Sequence, residues 1–217
     1  MTSIRLPNRS HVTMTGETDP IRYHYQPIIR YFMNKRLAMG AELLGLRRFR
    51  RLLDAGYGGG VFLPELANRA DELYGIDLHP HVDAVQRMAA LEGVRVELRQ
   101  ASICQTGFPD AFFDAVVSIS VLEFVDDLAG AIQELARITA PGATVVLGFP
   151  GENAMTAAGY RLARTPDPRR VHRATYEDIF RAANRRFTQR RVVKFPAFVP
   201  DKFALFFAGE FERGEAS

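Results

Sequence analysis

The sequence predicts an α/β protein: a doubly wound, mostly parallel sheet of seven strands closed by an antiparallel C-terminal hairpin, with an N-terminal helical lid. Three observations carry that expectation. Between residues 51 and 150, short continuously apolar runs alternate with stretches of helical periodicity, as parallel strands buried on both faces require. A glycine-rich turn, Gly56-Tyr57-Gly58-Gly59-Gly60, follows the first run. Two strand-like runs near the end are joined by a link short enough for antiparallel pairing.

The elements follow in order. Residues 1–20 are polar, broken by Pro7, Gly16 and Pro20, and are expected to be a poorly ordered tail. Residues 21–50 form the lid; Ile28, Ile29, Phe32, Met33, Leu37, Leu43 and Leu44 recur at helical spacing, and Pro27 suits a helix start. In the core, 51–150, strands are expected at Arg51–Ala55, Leu73–Asp77, Val94–Gln100, Phe113–Ile119 and Thr144–Phe149. Helices are expected at Val61–Arg69, Pro80–Leu91 and Asp127–Ile138, the last stopped by Pro141-Gly142. Residues 151–211 hold a long loop, a helix over Thr175–Asn184 with a Thr175/Asp178 capping box, and strands at Arg190–Phe195 and Phe203–Ala208. The final GEFERGEAS reads as a fraying end, with the tail proper at 212–217.

The 217 residues are 47% hydrophobic and 24% charged, a soluble globular balance for one domain. The lone Cys104 excludes a disulfide scaffold and a thiolate zinc cluster. No apolar run is long enough for a membrane helix, and the first residues lack the apolar stretch of a secretory signal, so the cytoplasm is the expected compartment. The net charge of +3 hides segregation: +7 over 1–53, −10 over 54–160, +7 over 161–191 and −1 beyond. Only Lys35, Lys194 and Lys202 are lysines among the 28 basic residues.

The turn at 54–60 is the most informative segment. Glycine lets backbone approach a ligand without a Cβ in the way, so a branched side chain at Gly58 is expected to clash. Ligands of open α/β sheets sit at the carboxyl ends of strands. Asp77 ends the next strand, where a carboxylate can accept both hydroxyls of a ribose. Together these point to an adenosine-bearing ligand. The dinucleotide spacing G-x-G-x-x-G fails, because Val61 or Leu63 stands where the third small residue belongs. Asp54, just before the glycines, would repel a pyrophosphate and attract an ammonium group.

Asp54-x-Gly56-x-Gly58-x-Gly60 resembles the first motif of class I S-adenosylmethionine-dependent methyltransferases, whose fold is Rossmann-like. Tyr74-Gly75-Ile76-Asp77-Leu78, residues 107–114 (GFPDAFFD), Ser118–Val125 (SISVLEFV) and residues 134–142 (ELARITAPG) resemble, in order, the branch related to quinone-biosynthesis methyltransferases. The resemblance spans residues 51–150. It implies S-adenosyl-L-methionine as cofactor and S-adenosyl-L-homocysteine as product. It implies that Gly56 and Gly58 pass the methionine moiety and Asp54 lies near its ammonium. Asp77 would bind the ribose, Leu78 would lie against the adenine, and Ile119 would meet the methionine end. Ser102 replaces the Asp that commonly contacts adenine, with the Ile103 amide beside it; Tyr57 replaces a small residue; Glu123 stands where His is frequent.

The resemblance implies methyl transfer to a small-molecule or lipid-like acceptor. His24, in the aromatic cluster of the lid, is the expected base, with Glu123 as a second candidate on the substrate side. The Arg-rich segment 161–191 would steer an anionic acceptor and is compatible with peripheral membrane contact. Nucleic acid is disfavoured, since no recognition module is visible. No metal site is expected, because His79 and His81 lack a third ligand at suitable spacing. Asp114 is expected to order a strand start, and Cys104 to be a small, partly buried residue. An idle S-adenosylmethionine- or S-adenosylhomocysteine-binding protein and a nucleotide-dependent oxidoreductase are the alternatives.

Overall fold

The computed structural model describes residues 4–15, 20–26, 29–157 and 172–214. Pro27, most of the loop after 157 and the last three residues, on which several expectations fell, lie outside them. The seven strands are β1 (Phe49–Ala55), β2 (Ala70–Asp77), β3 (Glu97–Gln100), β4 (Phe113–Ile119), β5 (Thr139–Pro150), β6 (Phe187–Phe195) and β7 (Phe206–Arg213). They form one sheet in the order β3-β2-β1-β4-β5-β7-β6. The first five run parallel, and β7 lies antiparallel between β5 and β6. The order reverses between β1 and β4, so the connections leaving these two strands diverge and open a crevice at their carboxyl ends.

Adjacent residues on each central strand serve opposite faces. Leu52, Val117 and Val146 join one buried cluster with Leu37, Leu44, Leu63, Leu66, Val85 and Met88. Leu53, Val116 and Val145 join the other with Ile132, Leu135, Ile179 and Phe211. The helices supplying these contacts are α1 (Arg30–Leu44), α2 (Leu63–Leu66), α3 (Val82–Leu91), α4 (Leu128–Ile138) and α5 (Tyr176–Ala183). The α5 start carries the expected capping box, with Thr175 and Asp178 each bonding the other's backbone. Asp127 caps α4 by accepting from the Gly130 N–H at 2.8 Å.

Several boundaries differ from expectation. The helix expected over Val61–Arg69 is a single α turn, α2, tightening into a 3-10 turn at Ala67–Arg69. Pro64 sits in the first turn, where its missing N–H costs no helical hydrogen bond. Helix α4 stops at Thr139, whose hydroxyl donates to the Leu135 carbonyl at 2.6 Å, so Pro141-Gly142 lies inside β5 rather than ending the helix. The last strand runs from Phe206 to Arg213, not Phe203 to Ala208. Residues 209–213 of the expected fraying end are therefore strand, and Phe211 among them is fully buried. Insertion between β5 and β6 gives that stretch hydrogen-bond partners on both sides.

Residues 4–15, expected to be a loose tail, lie along α2 and α3. Glu65 accepts from the Arg5 N–H and Glu92 from the Asn8 N–H, both at 2.7 Å, and Glu92 also meets His11 Nδ1 at 2.6 Å. These contacts hold the Glu92 carboxyl below the usual carboxylate range, chiefly through the Asn8 N–H. Tyr25 then donates to the Pro7 carbonyl at 2.9 Å, tying this strap to the 3-10 turn Pro20–Tyr25 that precedes α1.

Asp114 does order a strand start: its Oδ2 accepts from the Arg50 and Arg51 N–H groups at 2.6 and 3.1 Å, pinning β4 against β1. Asp114→Ala should cost about 1.5–3 kcal/mol in urea unfolding, since two backbone donors lose a charged acceptor. Affinity for S-adenosylhomocysteine should hold, because the pin is at the far end of the strands from the crevice.

Candidate cofactor and active site

The crevice is built from the ends of β1, β2 and β4. Asp54 sits near the end of β1, buried, with Oδ2 free of any hydrogen-bond partner among the described residues. Burial, and then the neighbouring Asp77 charge, push its pKa up to about 8. The chain next turns through Gly56 and Gly58, both at positive φ, and Gly56 N–H donates to the Ile76 carbonyl at 2.8 Å. A Cβ on Gly56 would overlap Val121, whereas beside Gly58 there is open space. The close approach expected at Gly58 is thus to nothing in the protein; Gly56 is where the protein packs tightly.

Asp77 ends β2 on the rim. Its Oδ2 accepts from the Gly58 N–H at 2.8 Å and its Oδ1 from the His79 N–H at 3.3 Å. His79 braces the same turn, with Nε2 at 2.8 Å from the Gly58 carbonyl and Nδ1 accepting from the His81 N–H at 3.1 Å. Both ring nitrogens are thereby used structurally, and among the described residues no cluster of side chains could hold a metal ion. The Tyr57 ring packs edge-on to His79, and its hydroxyl is buried without a hydrogen-bond partner among the described residues. Burial and the two nearby aspartates push that phenol up to about 12.

The remaining expected contacts flank Asp77. Leu78 is 69% exposed, an apolar side chain presented to solvent beside the carboxylate. Ser102 faces Gln105 across an isolated bridge, its hydroxyl accepting from the Cys104 N–H at 3.1 Å, and Ile103 is buried behind it. Burial raises the Cys104 thiol pKa, and the thiol lies 3.6 Å from the Asp127 carbonyl, which leaves it no nucleophile's environment. Ile119 ends β4 beneath α1, where a Cβ on Gly40 would touch its side chain.

The wall facing these carboxylates comes from the lid. Arg36 on α1 donates to the Ser120 hydroxyl at 3.1 Å and to His24 Nε2 at 3.3 Å. His24 Nδ1 meets Asn34 Oδ1 at 2.7 Å. Burial first, then the Arg36 charge, lower the His24 pKa to about 3, so the ring is neutral with both nitrogens engaged. The expected base is therefore committed to orienting Arg36. Glu123, in the 3-10 turn Leu122–Phe124 after β4, is buried with neither carboxyl oxygen hydrogen-bonded among the described residues. Burial pushes its pKa up to about 8 against the opposing pull of Arg36.

Sequence reasoning missed Arg36, Ser120 and His172. Ser120 is a non-glycine residue at φ 59°, strain that the Arg36 contact and a 2.7 Å bond from its N–H to the Gly148 carbonyl help to hold. His172 is buried against the Phe124 ring, its Nδ1 2.6 Å from Glu152 Oε1. The one signal available for Arg36 was a cation on the otherwise apolar helical pattern of the lid. Of the Arg-rich segment, Arg173, Arg181, Arg190 and Arg191 pair with carboxylates.

This arrangement fits a sulfonium nucleoside: an unpaired buried carboxylate for an ammonium, open glycine backbone, and a rim carboxylate for sugar hydroxyls. The comparisons agree. Residues 53–147 match the methyltransferase domain family. A ubiquinone biosynthesis O-methyltransferase of Alkalilimnicola ehrlichii is 36% identical over 139 residues, covering 60% of this chain and 56% of the relative. The chain thus spans little more than half the length of that relative. The N-methyltransferase NodS of Bradyrhizobium japonicum, solved with S-adenosyl-L-homocysteine, shares the fold with a TM-score of 0.69 at 22% identity, over 93% of this chain and 95% of that one. The [4+2]-cyclase SpnF shares it too, with a TM-score of 0.66 at 17% identity, over 83% and 80%. Over residues 53–147 the chain is thus similar to methyltransferases, and its fold is shared with a solved N-methyltransferase.

The glycine geometry separates two substitutions. Gly56→Ala should destabilise by about 2–4 kcal/mol in chemical denaturation, combining left-handed strain with overpacking against Val121. Gly58→Ala should cost only about 1–2 kcal/mol, from strain alone.

Proposed function

We propose that the protein transfers a methyl group from S-adenosylmethionine to a hydroxyl of a small or lipid-like acceptor. The observation that carries this reading is the buried Asp54 carboxylate, unpaired behind the open glycine turn and beside Asp77. A buried carboxylate without a cation is costly, and a ligand ammonium relieves that cost. Asp77, already oriented by two backbone N–H groups, holds the ribose hydroxyls; Leu78 and Ile103 flank the adenine, and Ser102 offers it a hydroxyl. Arg36, aimed by His24 and Ser120, is the cation placed to receive the carboxylate of the methionine end. The bound cofactor supplies an electrophilic methyl on a sulfonium centre.

The chain's own contribution is positioning, a dry site and a proton acceptor. Glu123 is the favoured base. Its buried carboxylate takes the acceptor hydroxyl's proton as the oxygen attacks in line with the methyl group. His24 serves as a positioning residue through Arg36. The 36% identical relative supports an oxygen acceptor. An anionic acceptor fits the half-buried cation Arg36 as well as the Arg-rich segment.

The second reading, use of the same cofactor fold without methyl transfer, is favoured by the cyclase SpnF sharing the architecture. Incubation with labelled S-adenosylmethionine and candidate phenols separates the two, since only turnover yields S-adenosylhomocysteine. A nucleotide-dependent oxidoreductase would instead gain thermal stability from NAD(H) and none from S-adenosylmethionine.

Asp77→Ala should weaken S-adenosylhomocysteine binding at least tenfold by calorimetry, as roughly 1.4 kcal/mol of hydrogen bonding to the sugar is lost. Unchanged affinity would remove Asp77 from the site. For catalysis, a base must be ionised, and Glu123 ionises near 8. Turnover should therefore rise with pH through about 8 and level off above it. Glu123→Gln should lower kcat about 10²–10⁴-fold and abolish that limb, with cofactor affinity retained. A persisting limb would assign the base elsewhere.

A further inference from the structure

Among the described residues, four of the five exposed aromatic side chains lie on the first turn of α1 or on the link from β6 to β7; the fifth, Phe124, lies apart against His172. Tyr31 and Phe32, 44% and 49% exposed, lie in the first turn of α1 and meet Phe195 at ring distances of 5.9 and 6.1 Å. Phe198 and Phe203, 89% and 41% exposed, stand on the link from β6 to β7. Solvation of so much contiguous ring surface is unfavourable, and such patches mark contact sites.

The three lysines of the chain lie on α1, on β6 and on the link from β6 to β7, although the other long cationic side chains are all arginines. Lys35 Nζ lies 5.9 Å from the Phe195 ring centre, and Lys202 Nζ lies 5.1 Å from that of Phe203. Lys194 pairs with Asp201, the one acidic residue of the link. Neither Lys35 nor Lys202 has a carboxylate within ion-pair distance among the described residues. Arg30 adds a further exposed cation at the start of α1.

The face lies beside the active-site mouth. Phe195 pairs with Phe206, and Phe206 pairs with Pro150, so the β6–β7 link emerges at the carboxyl end of β5. Ile119, at the carboxyl end of β4, pairs with Gly148 on that same rim. Lys35 and Arg36 are consecutive, so the helix that carries the aromatic face also carries the half-buried cation of the proposed site.

We propose that this face docks the protein on an anionic lipid surface. Aromatic rings settle at the boundary between headgroups and acyl chains, and lysines with long stems reach anionic headgroups around them. A second copy of the chain is the poorer occupant, because a two-fold contact through this face brings like-charged lysines together. Docking places the mouth against the membrane, where a lipid-like acceptor enters directly. That last step rests on the proposed methyl transfer; the docking does not.

The test is partitioning of the full chain onto phosphatidylcholine vesicles with and without about one third phosphatidylglycerol, read by co-sedimentation. Binding should require the anionic lipid and fall as salt rises. Phe32→Ser/Phe198→Ser and Lys35→Glu/Lys202→Glu, each tested alone, should each weaken it about tenfold or more. Calorimetry with S-adenosylhomocysteine on the same preparations should be unchanged. Loss of that signal in the unmodified protein would remove the cofactor reading and leave the docking result standing. Three outcomes overturn the proposal: no partitioning by the unmodified chain, partitioning indifferent to both variants, or a dimer in sedimentation equilibrium that the aromatic variant dissociates.

Discussion

The site depends on one carboxylate kept where water cannot reach it. Asp54 lies near the end of β1, with β2 and β4 hydrogen-bonded on either side, so strand backbone and apolar side chains enclose it. No group of the described chain pairs with its Oδ2, and the nearest charge, Asp77, repels it. An interior of low polarity makes such a group expensive to ionise and, equally, makes it a strong partner for a cation that enters. Stability of the empty protein and affinity for an ammonium-bearing ligand are thus opposed at this atom. The sheet supplies enough buried apolar surface on both faces to sustain that conflict.

Across the crevice the lid solves the complementary problem. Arg36 is half-buried, and the structure surrounds it with a neutral histidine, a serine hydroxyl and the Glu123 carboxyl. His24 is useful there because it stays uncharged: a protonated ring would repel the guanidinium it is meant to orient. Asn34 fixes the tautomer, since its carbonyl oxygen takes the Nδ1 proton and leaves Nε2 to accept from Arg36. The strap formed by residues 4–15 reaches this wall through Tyr25, which links the anchoring of the chain's start to the placement of the site.

Fold and cofactor do not by themselves choose a reaction, as an architecture shared by an N-methyltransferase and a cyclase makes plain. The matched domain ends at residue 147 and begins at 53, so the lid and the segment beyond β5 lie outside it. Those flanks hold His24, Arg36, Glu152, His172 and the aromatic face. The proposed acceptor side is thus divided, with Glu123 inside the matched domain and the aromatic face and His172 outside it.

What the sequence determined is local. The alternation of apolar runs and helices implies a mostly parallel sheet, and the glycine turn with Asp54 before it and Asp77 one strand later lies within a single βαβ unit. A few dozen consecutive residues enforce that geometry, so spacing alone reveals it. The capping box at Thr175 is legible for the same reason, whereas the partners of Asp114, more than sixty positions earlier, are not. What tertiary structure decided is long-range: Arg36 meets a serine 84 positions away, His24 is buried between Arg36 and Asn34, and Phe211 turns from tail into core. Burial and partnership fix the charge state of a side chain, and neither exists until distant segments pack together.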